Sequence, residues 1–293
     1  MDRFLVITNE RKDKDNVITK QIADYIMSSE RKCSLIGTLE LENDKIRPGI
    51  DVQCAIILGG DGTIIRCATH LMDLNLPILG INLGTIGFLA EIEKNHIKEA
   101  LDRLFEDDYV LENRMMLSGE LHVANNKASD INDGLTTGYA LNDIVITRKG
   151  LSRIISLQIY VNDQLVDNYR GDGVIISTPT GSTAYNLSAG GPIITPKADV
   201  MVITPICAHS LSPRSVVISA EDVVKVVVRR SKKTQDDEAI VSYDGQTVID
   251  MGTEDEMLIR KAQHNTRLIR LNQTGIYEIL RSKLTGGSDL QIL

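Results

Sequence analysis

The chain has 293 residues, of which 25% are charged and 42% hydrophobic, and its formal net charge is −8 at pH 7. These values are typical of a globular protein with one large or two ordinary domains, and the negative charge disfavours non-specific binding to nucleic acid. No apolar stretch approaches the roughly 20 residues that cross a bilayer, and the first residues do not resemble a signal peptide. We therefore expect a cytoplasmic protein that binds neither nucleic acid nor membranes.

The cysteine and histidine spacings do not predict a structural metal. The 4 cysteines include no C-x-x-C pair, and the 5 histidines form no H-E-x-x-H pattern. Cys54 lies in an apolar, strand-like run and Cys67 in a helix-like one. We expect both to be buried, reduced thiols, and we predict no metal site built from protein side chains.

The first third of the chain alternates strand-like and helix-like periods. Short apolar runs predict strands, and apolar residues at helical spacing between them predict helices. Strands separated by helices indicate βαβ units and a parallel sheet. The predicted strands are Phe4–Thr8, Ser34–Leu39, Cys54–Leu58 and Pro77–Ile81, and the predicted helices are Val17–Met27, Thr63–Leu74 and one capped by Asn95.

Near Arg114 the pattern changes to short alternating or β-branched runs, and Asn162-Asp163 between two of them predicts a hairpin turn. We predict an α/β, Rossmann-like domain over residues 1–114 and a mainly β domain over residues 115–269. A helix at about Thr274–Lys283 is predicted to return residues 270–293 to the first domain. The predicted strands of the second domain are Leu117–Val123, Leu141–Thr147, Ile154–Val161, Gly173–Ser177, Val200–Thr204, Val216–Ser219, Val223–Arg229, Ala239–Tyr243 and Met257–Lys261.

A glycine-rich turn follows the third predicted strand, where residues 58–63 read Leu-Gly-Gly-Asp-Gly-Thr. Glycines let the backbone approach a ligand closely, and the start of a helix offers N–H groups and a positive dipole end to an anion. The motif therefore predicts a phosphate-binding loop. Asp61 lies in its middle, and because a carboxylate repels phosphate, it indicates metal binding or proton abstraction.

Small hydroxylated residues and glycines fill a second segment, Gly171–Pro192, which begins with the buried-strand pattern Val174–Ile176. Serine and threonine hydroxyls both donate and accept hydrogen bonds, so they suit sugar hydroxyls, amides and phosphates. The alternative is a flexible loop between two strands. The apolar start and the closing Gly190-Gly191-Pro192 favour a ligand-binding segment.

Other motifs accompany these two along residues 54–250. In chain order they read Gly-Gly-Asp-Gly-Thr at 59–63, Gly-x-Asn-Leu-Gly-Thr-Ile-Gly-Phe-Leu-Ala-Glu at 80–91, Leu-Asn-Asp at 141–143, Ser-Thr-Pro-Thr-Gly-Ser-Thr-Ala-Tyr at 177–185, Pro-Ile-x-x-His-Ser-Leu at 205–211 and Asp-Gly-Gln at 244–246. Together they resemble the ATP-NAD kinase family, in its bacterial type. The fourth motif is the most specific, because lipid kinases and phosphofructokinases have elements similar to the first.

The resemblance implies an enzyme that transfers the γ-phosphoryl of ATP to the 2′-hydroxyl of the adenosine ribose of NAD, giving NADP, with Mg²⁺ or Mn²⁺ accompanying ATP. Asp61 would accept the proton of that hydroxyl and contact NAD. Arg66 would neutralise phosphate charge or be a solvated helix residue, and Phe88, after Gly87, would contact the dinucleotide or anchor the core. The residues that would form the ATP phosphate loop are Gly59, Gly60, Gly62 and Thr63, with Gly62 also touching NAD.

In the second domain the resemblance implies dinucleotide contacts. Asn142 would bind an adenine edge or a ribose hydroxyl. Asp143, which is shorter than the glutamate common in the family, would bind a ribose hydroxyl. The alternative is that Asn142 and Asp143 form an ordinary turn at the strand entry. Asp172 would hold the nicotinamide carboxamide or its ribose. Further NAD contacts are implied for Arg153, Arg170 and Gln246 and for the adenosine pocket Thr183, Ala184, Tyr185, Asn186, Leu187 and Ser188.

The resemblance also implies a homodimer or homotetramer, in which His209 or Tyr243 would reach a neighbouring subunit. The expected active site lies in a cleft between the two domains. The alternatives are a lipid or sugar-phosphate kinase of the same superfamily and a non-catalytic NAD-binding sensor. A Rossmann dehydrogenase is disfavoured because Val6–Glu10 contains no G-x-G-x-x-G after the first strand.

Overall fold

The structure, a computed structural model, describes residues 1–43, 51–84, 87–124, 137–150, 154–209, 214–230, 237–271 and 278–281. The chain divides into two compact units, the first from Met1–Asn113 and Thr266–Leu293 and the second from Arg114–Asn265. Of the helix predicted at Thr274–Lys283, residues 278–281 are helical and the others lie outside the described residues. Among the described residues, no helix is long and apolar enough to cross a membrane.

The first unit is built on a parallel sheet flanked by helices. Its central strands are buried along their whole length, which explains their continuous apolar sequences. The strand order is β17-β4-β3-β1-β2, with β5 beside β4. The elements are β1 Arg3–Thr8, α1 Val17–Ser28, β2 Lys32–Gly37, α2 Thr38–Asn43, β3 Cys54–Gly59, α3 Asp61–Leu71, β4 Pro77–Asn82, β5 Ile92–Glu93, α4 Ile97–Phe105, the start of β6 Val110–His122 and the end of β17 Glu256–Arg270.

The carboxyl ends of β1, β3 and β4 meet at one edge of this sheet. Thr8 pairs with Leu58, and Gly59 with Asn82. In open α/β sheets, ligands bind outside the carboxyl ends of the strands. The turn after β1, the glycine-rich turn after β3 and the segment after β4 are therefore brought together by strand register alone.

Two local predictions in this unit were wrong. The second strand ends at Gly37, and Thr38 begins a helix. At the start of this helix the Thr38 hydroxyl donates a hydrogen bond to the Glu10 carboxylate (2.8 Å). Asn95 does not cap α4: it lies in a 3₁₀ turn, Lys94–His96, and His96 is the N-cap residue, without a side-chain cap.

The second unit is a sandwich of antiparallel strands. One sheet has the order β13-β12-β11-β8-β15-β16, and the other contains β10-β9-β14-β17 with β6 and β7. Alternate residues of both sheets form one apolar core. The elements are the remainder of β6, β7 Thr137–Ala140, β8 Asp143–Arg148, β9 Ile155–Val161, β10 Gln164–Gly171, β11 Gly173–Ser177, α5 Tyr185–Ser188, β12 Val200–Ile206, β13 Val216–Ser219, β14 Val224–Arg229, β15 Glu238–Tyr243, β16 Thr247–Gly252 and most of β17.

The predicted fold classes of both domains are confirmed. The hairpin at Asn162-Asp163 is also confirmed: both residues have positive φ (49° and 62°), as a two-residue turn between right-twisted strands requires. Cys54 and Cys67 are buried, as predicted. Burial raises the pKa of the Cys54 thiol to about 12, so it is protonated and unreactive at neutral pH.

Candidate functional site

The glycine-rich turn connects β3 to α3 without an intervening loop. Gly60 is the N-cap residue, and its carbonyl accepts hydrogen bonds from the N–H groups of Thr63 (2.9 Å) and Ile64 (3.2 Å). A Cβ on Gly59 would lie 2.4 Å from the Thr63 hydroxyl oxygen, so only glycine fits there. The N–H groups of Asp61 and Gly62 precede these first hydrogen bonds of the helix. The turn therefore has the geometry of an anion-binding site.

The turn after β1 places two further polar groups beside this loop. The Asn9 side-chain amide donates to the Thr63 hydroxyl (3.0 Å), and the Lys12 N–H donates to the Asn9 carbonyl (2.9 Å). The Lys12 ammonium lies 3.0 Å from the position that a Cβ on Gly60 would occupy. Lys12 was not predicted from the sequence, although it lies in the turn after β1, the strand that pairs with β3.

The Asp61 side chain is held by the segment that follows β4. Its Oδ2 accepts a hydrogen bond from the N–H of Phe88 (2.7 Å), and its Oδ1 accepts two, from Leu89 (3.0 Å) and Ala90 (3.2 Å). A Cβ on Gly87 would lie 1.8 Å from Oδ1, so the glycine at this position lets the segment reach the carboxylate. Hydrogen bonds to a charged acceptor are stronger than neutral ones, and three of them fix the orientation of the carboxylate.

For the other predicted residues of the first unit, the structure gives the exposure but does not assign a role. Arg66 is half-buried on α3, and the Phe88 side chain is also half-buried. Gly62 has open space where a side chain would be. Among the described residues, no group of three or more His, Cys, Asp or Glu side chains converges as a metal site.

In the second unit, the loop after β11 is fixed to the turn that enters β8. The Thr178 N–H donates to the Asn142 carbonyl (2.8 Å), and the Thr178 hydroxyl donates to the Leu141 carbonyl (2.7 Å). A Cβ on Gly181 would lie 2.2 Å from the Asn142 carbonyl oxygen. The loop is therefore rigidly attached to the segment that carries Asn142 and Asp143, and not the flexible loop of the alternative interpretation.

Several polar groups of this loop are occupied within it. The Ser182 hydroxyl donates to the Pro179 carbonyl (2.6 Å) and accepts from the Ile194 N–H (3.0 Å). The Asn186 amide is fully buried, donates to the Pro192 carbonyl (3.0 Å) and accepts from the Thr204 hydroxyl (2.7 Å). The Asn186 side chain therefore supports the loop from inside and is not available to a ligand.

The neighbouring residues point outward. Tyr185 and Ser188 are exposed, whereas Thr183, Ala184 and Leu187 are half-buried. Burial raises the pKa of the Tyr185 phenol, and the ionisable groups of Cys207, Asp172 and Asp143 raise it further.

Asp143, which is buried, and Asp244, which is half-buried, form a pair of neighbouring acids. The Asp244 carboxylate accepts hydrogen bonds from the N–H groups of Leu141 (2.8 Å), Asn142 (2.7 Å) and Asp143 (3.1 Å). Burial, with the charge of Asp244, raises the pKa of Asp143 to about 7. Burial also raises the pKa of Asp244 to about 6, against the lowering by its three N–H donors. The sequence motif Asp-Gly-Gln contained Asp244, but its partners were not predictable from local sequence.

Asp172 lies between β10 and β11 and forms an ion pair with Arg148 (Nε to Oδ1, 2.6 Å). Arg170 and His209 are exposed neighbours, because the His209 N–H donates to the Arg170 carbonyl (2.7 Å). Gln246 is exposed in the turn after β15. Arg153 lies outside the described residues.

The expectation that Tyr243 reaches a neighbouring subunit was wrong. Its side chain is buried in the core of the second unit, and its hydroxyl donates to the Gly119 carbonyl (3.1 Å). A Cβ on Gly138 would lie 2.6 Å from the Tyr243 ring, so the ring packs directly against the backbone of this glycine. His209 keeps the exposure that such a contact would need.

Replacing Gly87 with alanine tests the contact between Asp61 and the segment after β4. The added methyl group displaces the carboxylate, so we expect faster amide hydrogen exchange at Phe88, Leu89 and Ala90 and a loss of about 1–3 kcal/mol in the free energy of unfolding. Gly84→Ala is the control, because its nearest neighbour would be 4.0 Å away. Unchanged exchange in Gly87→Ala would contradict the assignment.

The acid pair predicts a pH dependence of stability. Because both pKa values are raised above 3.8, the folded chain binds more protons than the unfolded chain. The contribution of the protonated pair to the unfolding free energy is complete below pH 3.8, the ordinary pKa of an aspartate. It is lost as the pH rises through about 6–7. We expect Asp143→Asn to reduce the decrease in unfolding free energy between pH 5 and pH 8 by about 1–3 kcal/mol, measured by urea denaturation.

The control for this prediction is Asp250→Asn, since Asp250 is an exposed partner of Lys149 (2.8 Å) in the same unit. It should leave the pH dependence unchanged. An Asp143→Asn variant with the pH dependence of the unmodified chain would show that the raised pKa of Asp143 does not cause it.

Comparisons with known proteins agree over nearly the whole chain. The ATP-NAD kinase N-terminal domain matches residues 5–109, and the ATP-NAD kinase C-terminal domain matches residues 141–271. An NAD kinase from Lachnoclostridium phytofermentans is 46% identical over 286 residues, which cover 97% of this chain and 99% of that protein.

Two solved structures share the fold. Yeast NADH kinase complexed with NADH has a TM-score of 0.83 and 23% identity, covering 100% of this chain and 90% of that one. An NAD kinase from Archaeoglobus fulgidus in complex with ATP has a TM-score of 0.74 and 24% identity, covering 96% and 98%. With both domains matched and a relative of this identity aligned along its full length, this chain belongs to the ATP-NAD kinase family.

Proposed function

We propose that this chain is an NAD kinase, which transfers the γ-phosphoryl of ATP to the 2′-hydroxyl of the adenosine ribose of NAD and gives NADP and ADP. The observation that carries the proposal is the Asp61 carboxylate, held at the start of α3 by three backbone N–H groups. Membership of the family supports the same reaction.

The acceptor atom for the hydroxyl proton is Oδ2 of Asp61. A carboxylate offers about four acceptor positions on its two oxygens. Oδ1 accepts two hydrogen bonds and Oδ2 accepts one, so Oδ2 retains an acceptor position. A substrate hydroxyl that donates to this position is oriented by a carboxylate that cannot rotate without losing three hydrogen bonds.

In the proposed step, the 2′-oxygen forms a bond to the γ-phosphorus while the bond from that phosphorus to the bridging oxygen of ADP breaks. The hydroxyl proton passes to Oδ2, and the leaving electron pair stays on ADP. A carboxylate is a weak base for an alcohol, but phosphoryl transfer depends mainly on positioning and charge neutralisation. Late proton removal by an oriented carboxylate is then sufficient.

On the donor side, the N–H groups at the start of α3 face the ATP phosphates, and Lys12 supplies a cation beside Gly60. Arg66 is a second candidate cation on the same helix. Phosphate oxygens together with few protein oxygens are the ligands that Mg²⁺ prefers in such sites, which fits the single carboxylate at this loop. A divalent ion bound with ATP supplies charge neutralisation at the phosphate oxygens.

On the acceptor side, Asn142 and Asp143 contact the adenosine of NAD, and Asp172 contacts the nicotinamide carboxamide or its ribose. Thr183, Ala184, Tyr185, Leu187 and Ser188 line the adenosine pocket, and Arg153, Arg170 and Gln246 add contacts. The exposure of Tyr185 and Ser188 supports this assignment. We give Asn186 the supporting role that its buried hydrogen bonds indicate.

We further propose a cytoplasmic homodimer or homotetramer in which His209 approaches the site of a neighbouring subunit. The exposure of His209 beside Arg170 supports this. Size measurement in solution, with His209→Ala assayed for activity, tests both parts. A fully active monomer would exclude the oligomer, and full activity of His209→Ala would exclude the role of His209.

The reaction is tested by NADP formation from NAD and Mg-ATP, detected with a dehydrogenase specific for NADP. We expect Asp61→Asn to lower kcat by about 100-fold or more, as loss of a proton acceptor does, and to leave the dissociation constant of NAD within about threefold. Asp24→Asn, an exposed change on α1, is the matched control.

Three other outcomes separate the alternatives. Near-full turnover by Asp61→Asn would remove the proton-acceptor assignment. NAD binding without turnover in the unmodified chain indicates a sensor or another phosphoryl donor such as polyphosphate. Phosphorylation of diacylglycerol without NADP formation indicates a lipid kinase.

The Lys12 assignment is tested separately. Since an exposed ammonium contributes modest binding energy, we expect Lys12→Met to raise KM for ATP by about three- to tenfold, with kcat and KM for NAD nearly unchanged. Lys14→Met, an exposed lysine in the same turn region, serves as the control. Equal KM values for ATP in the two variants would remove Lys12 from the donor site.

A further inference from the structure

The segment that holds Asp61 is itself held from its other side by Arg270, at the end of β17. The Arg270 guanidinium donates from Nη2 to the Phe88 carbonyl (3.1 Å) and from Nη1 to the Leu89 carbonyl (3.2 Å). The N–H groups of the same two residues donate to Asp61. Phe88 and Leu89 are therefore fixed between a carboxylate on one side and a guanidinium on the other.

Two glutamates fix the guanidinium in turn. Nε of Arg270 donates to Glu112 (2.7 Å), and Nη1 lies 3.4 Å from Glu91. Glu91 also accepts the Leu271 N–H (2.7 Å), which fastens the strand end to the same segment. The side chains are 14% exposed for Arg270, 10% for Glu91 and 21% for Glu112. Solvent therefore screens these contacts less than it screens surface ion pairs.

The arrangement requires the shape of arginine as well as its charge. A guanidinium offers five N–H donors in one plane, which can reach two carbonyls and two carboxylates at once. A lysine ammonium is a point charge with three donors on a flexible stem and cannot reproduce this fork. The residue thus sets the distance and direction of the Phe88 and Leu89 peptide groups.

We propose that Arg270 is a positioning residue for the phosphoryl transfer: through the Phe88 and Leu89 carbonyls it fixes the N–H groups that orient Asp61, and so places Oδ2 against the substrate hydroxyl. This inference rests on the proposed function. Neither the substrates nor the reacting atoms touch Arg270 in this assignment. Its effect is on the orientation of Asp61 and therefore on kcat.

The test is Arg270→Lys, with Arg267→Lys as the matched control. Arg267 lies on the same strand and donates to the Asn75 carbonyl (3.2 Å), away from Asp61. We expect Arg270→Lys to lower kcat by about 10- to 100-fold, as small misplacements of reacting groups do, with KM for NAD and ATP within about twofold. Amide hydrogen exchange at Phe88, Leu89 and Ala90 should accelerate in this variant and not in the control.

A second variant keeps the proposal testable if loss of the ion pairs impairs folding. In Arg270→Ala, low millimolar ethylguanidinium should restore part of kcat, because it can occupy the vacated position, and it should not affect Arg267→Ala. Unchanged kcat and unchanged exchange in Arg270→Lys would overturn the proposal, as would a rise in KM alone. If the unmodified chain forms no NADP, the proposed function fails, whereas the exchange measurement still decides whether Arg270 holds the segment.

Discussion

The first unit depends on one carboxylate that joins the start of a helix to the segment after another strand. Asp61 begins a helix directly after a buried strand, and its two oxygens accept the N–H groups of three consecutive residues, Phe88–Ala90. The arrangement resolves a difficulty posed by an acid in a phosphate-binding turn. The charge of Asp61 is satisfied by donors from another segment, so that in the proposed reaction the N–H groups of its own helix remain directed at ATP.

The second unit uses the same device at a different place. Asp244 accepts the N–H groups of three consecutive residues, Leu141–Asp143, and so fixes the turn that carries Asn142 and Asp143. Here the carboxylate is also next to a buried acid, Asp143, and the pKa values of both are raised. A carboxylate can order a short backbone segment because several N–H groups that point the same way form charge-assisted bonds with it.

Some glycines of the motifs are required because another part of the chain lies against their Cα atoms. Gly87 lies against Asp61, and Gly181 lies against the Asn142 carbonyl, at distances where a Cβ does not fit. Most hydroxyls and amides of the segment from Ser177 to Asn186 are used to build the loop. Most polar side chains of that segment therefore hold the loop together and are not direct contacts to a ligand.

The sequence by itself determined the alternation of strands and helices in the first domain, the β character of the second, the hairpin at Asn162-Asp163 and the motifs that mark the family. It also indicated Asp61, because a carboxylate between glycines at a strand-to-helix junction is a local pattern. Local patterns failed at Thr38, where the predicted strand gives way to a helix whose first residue donates a hydrogen bond to the distant Glu10 carboxylate.

Only the tertiary structure decided which groups surround these residues. The donors to Asp61 lie 27 to 29 residues along the chain, the donors to Asp244 about a hundred, and Arg270 reaches Phe88 from the end of the last strand. Periodicity records which face of an element is buried, and this is a property of neighbouring residues. The partners of a polar side chain are set instead by strand register and order, which bring the carboxyl ends of β1, β3 and β4 to one edge of the sheet.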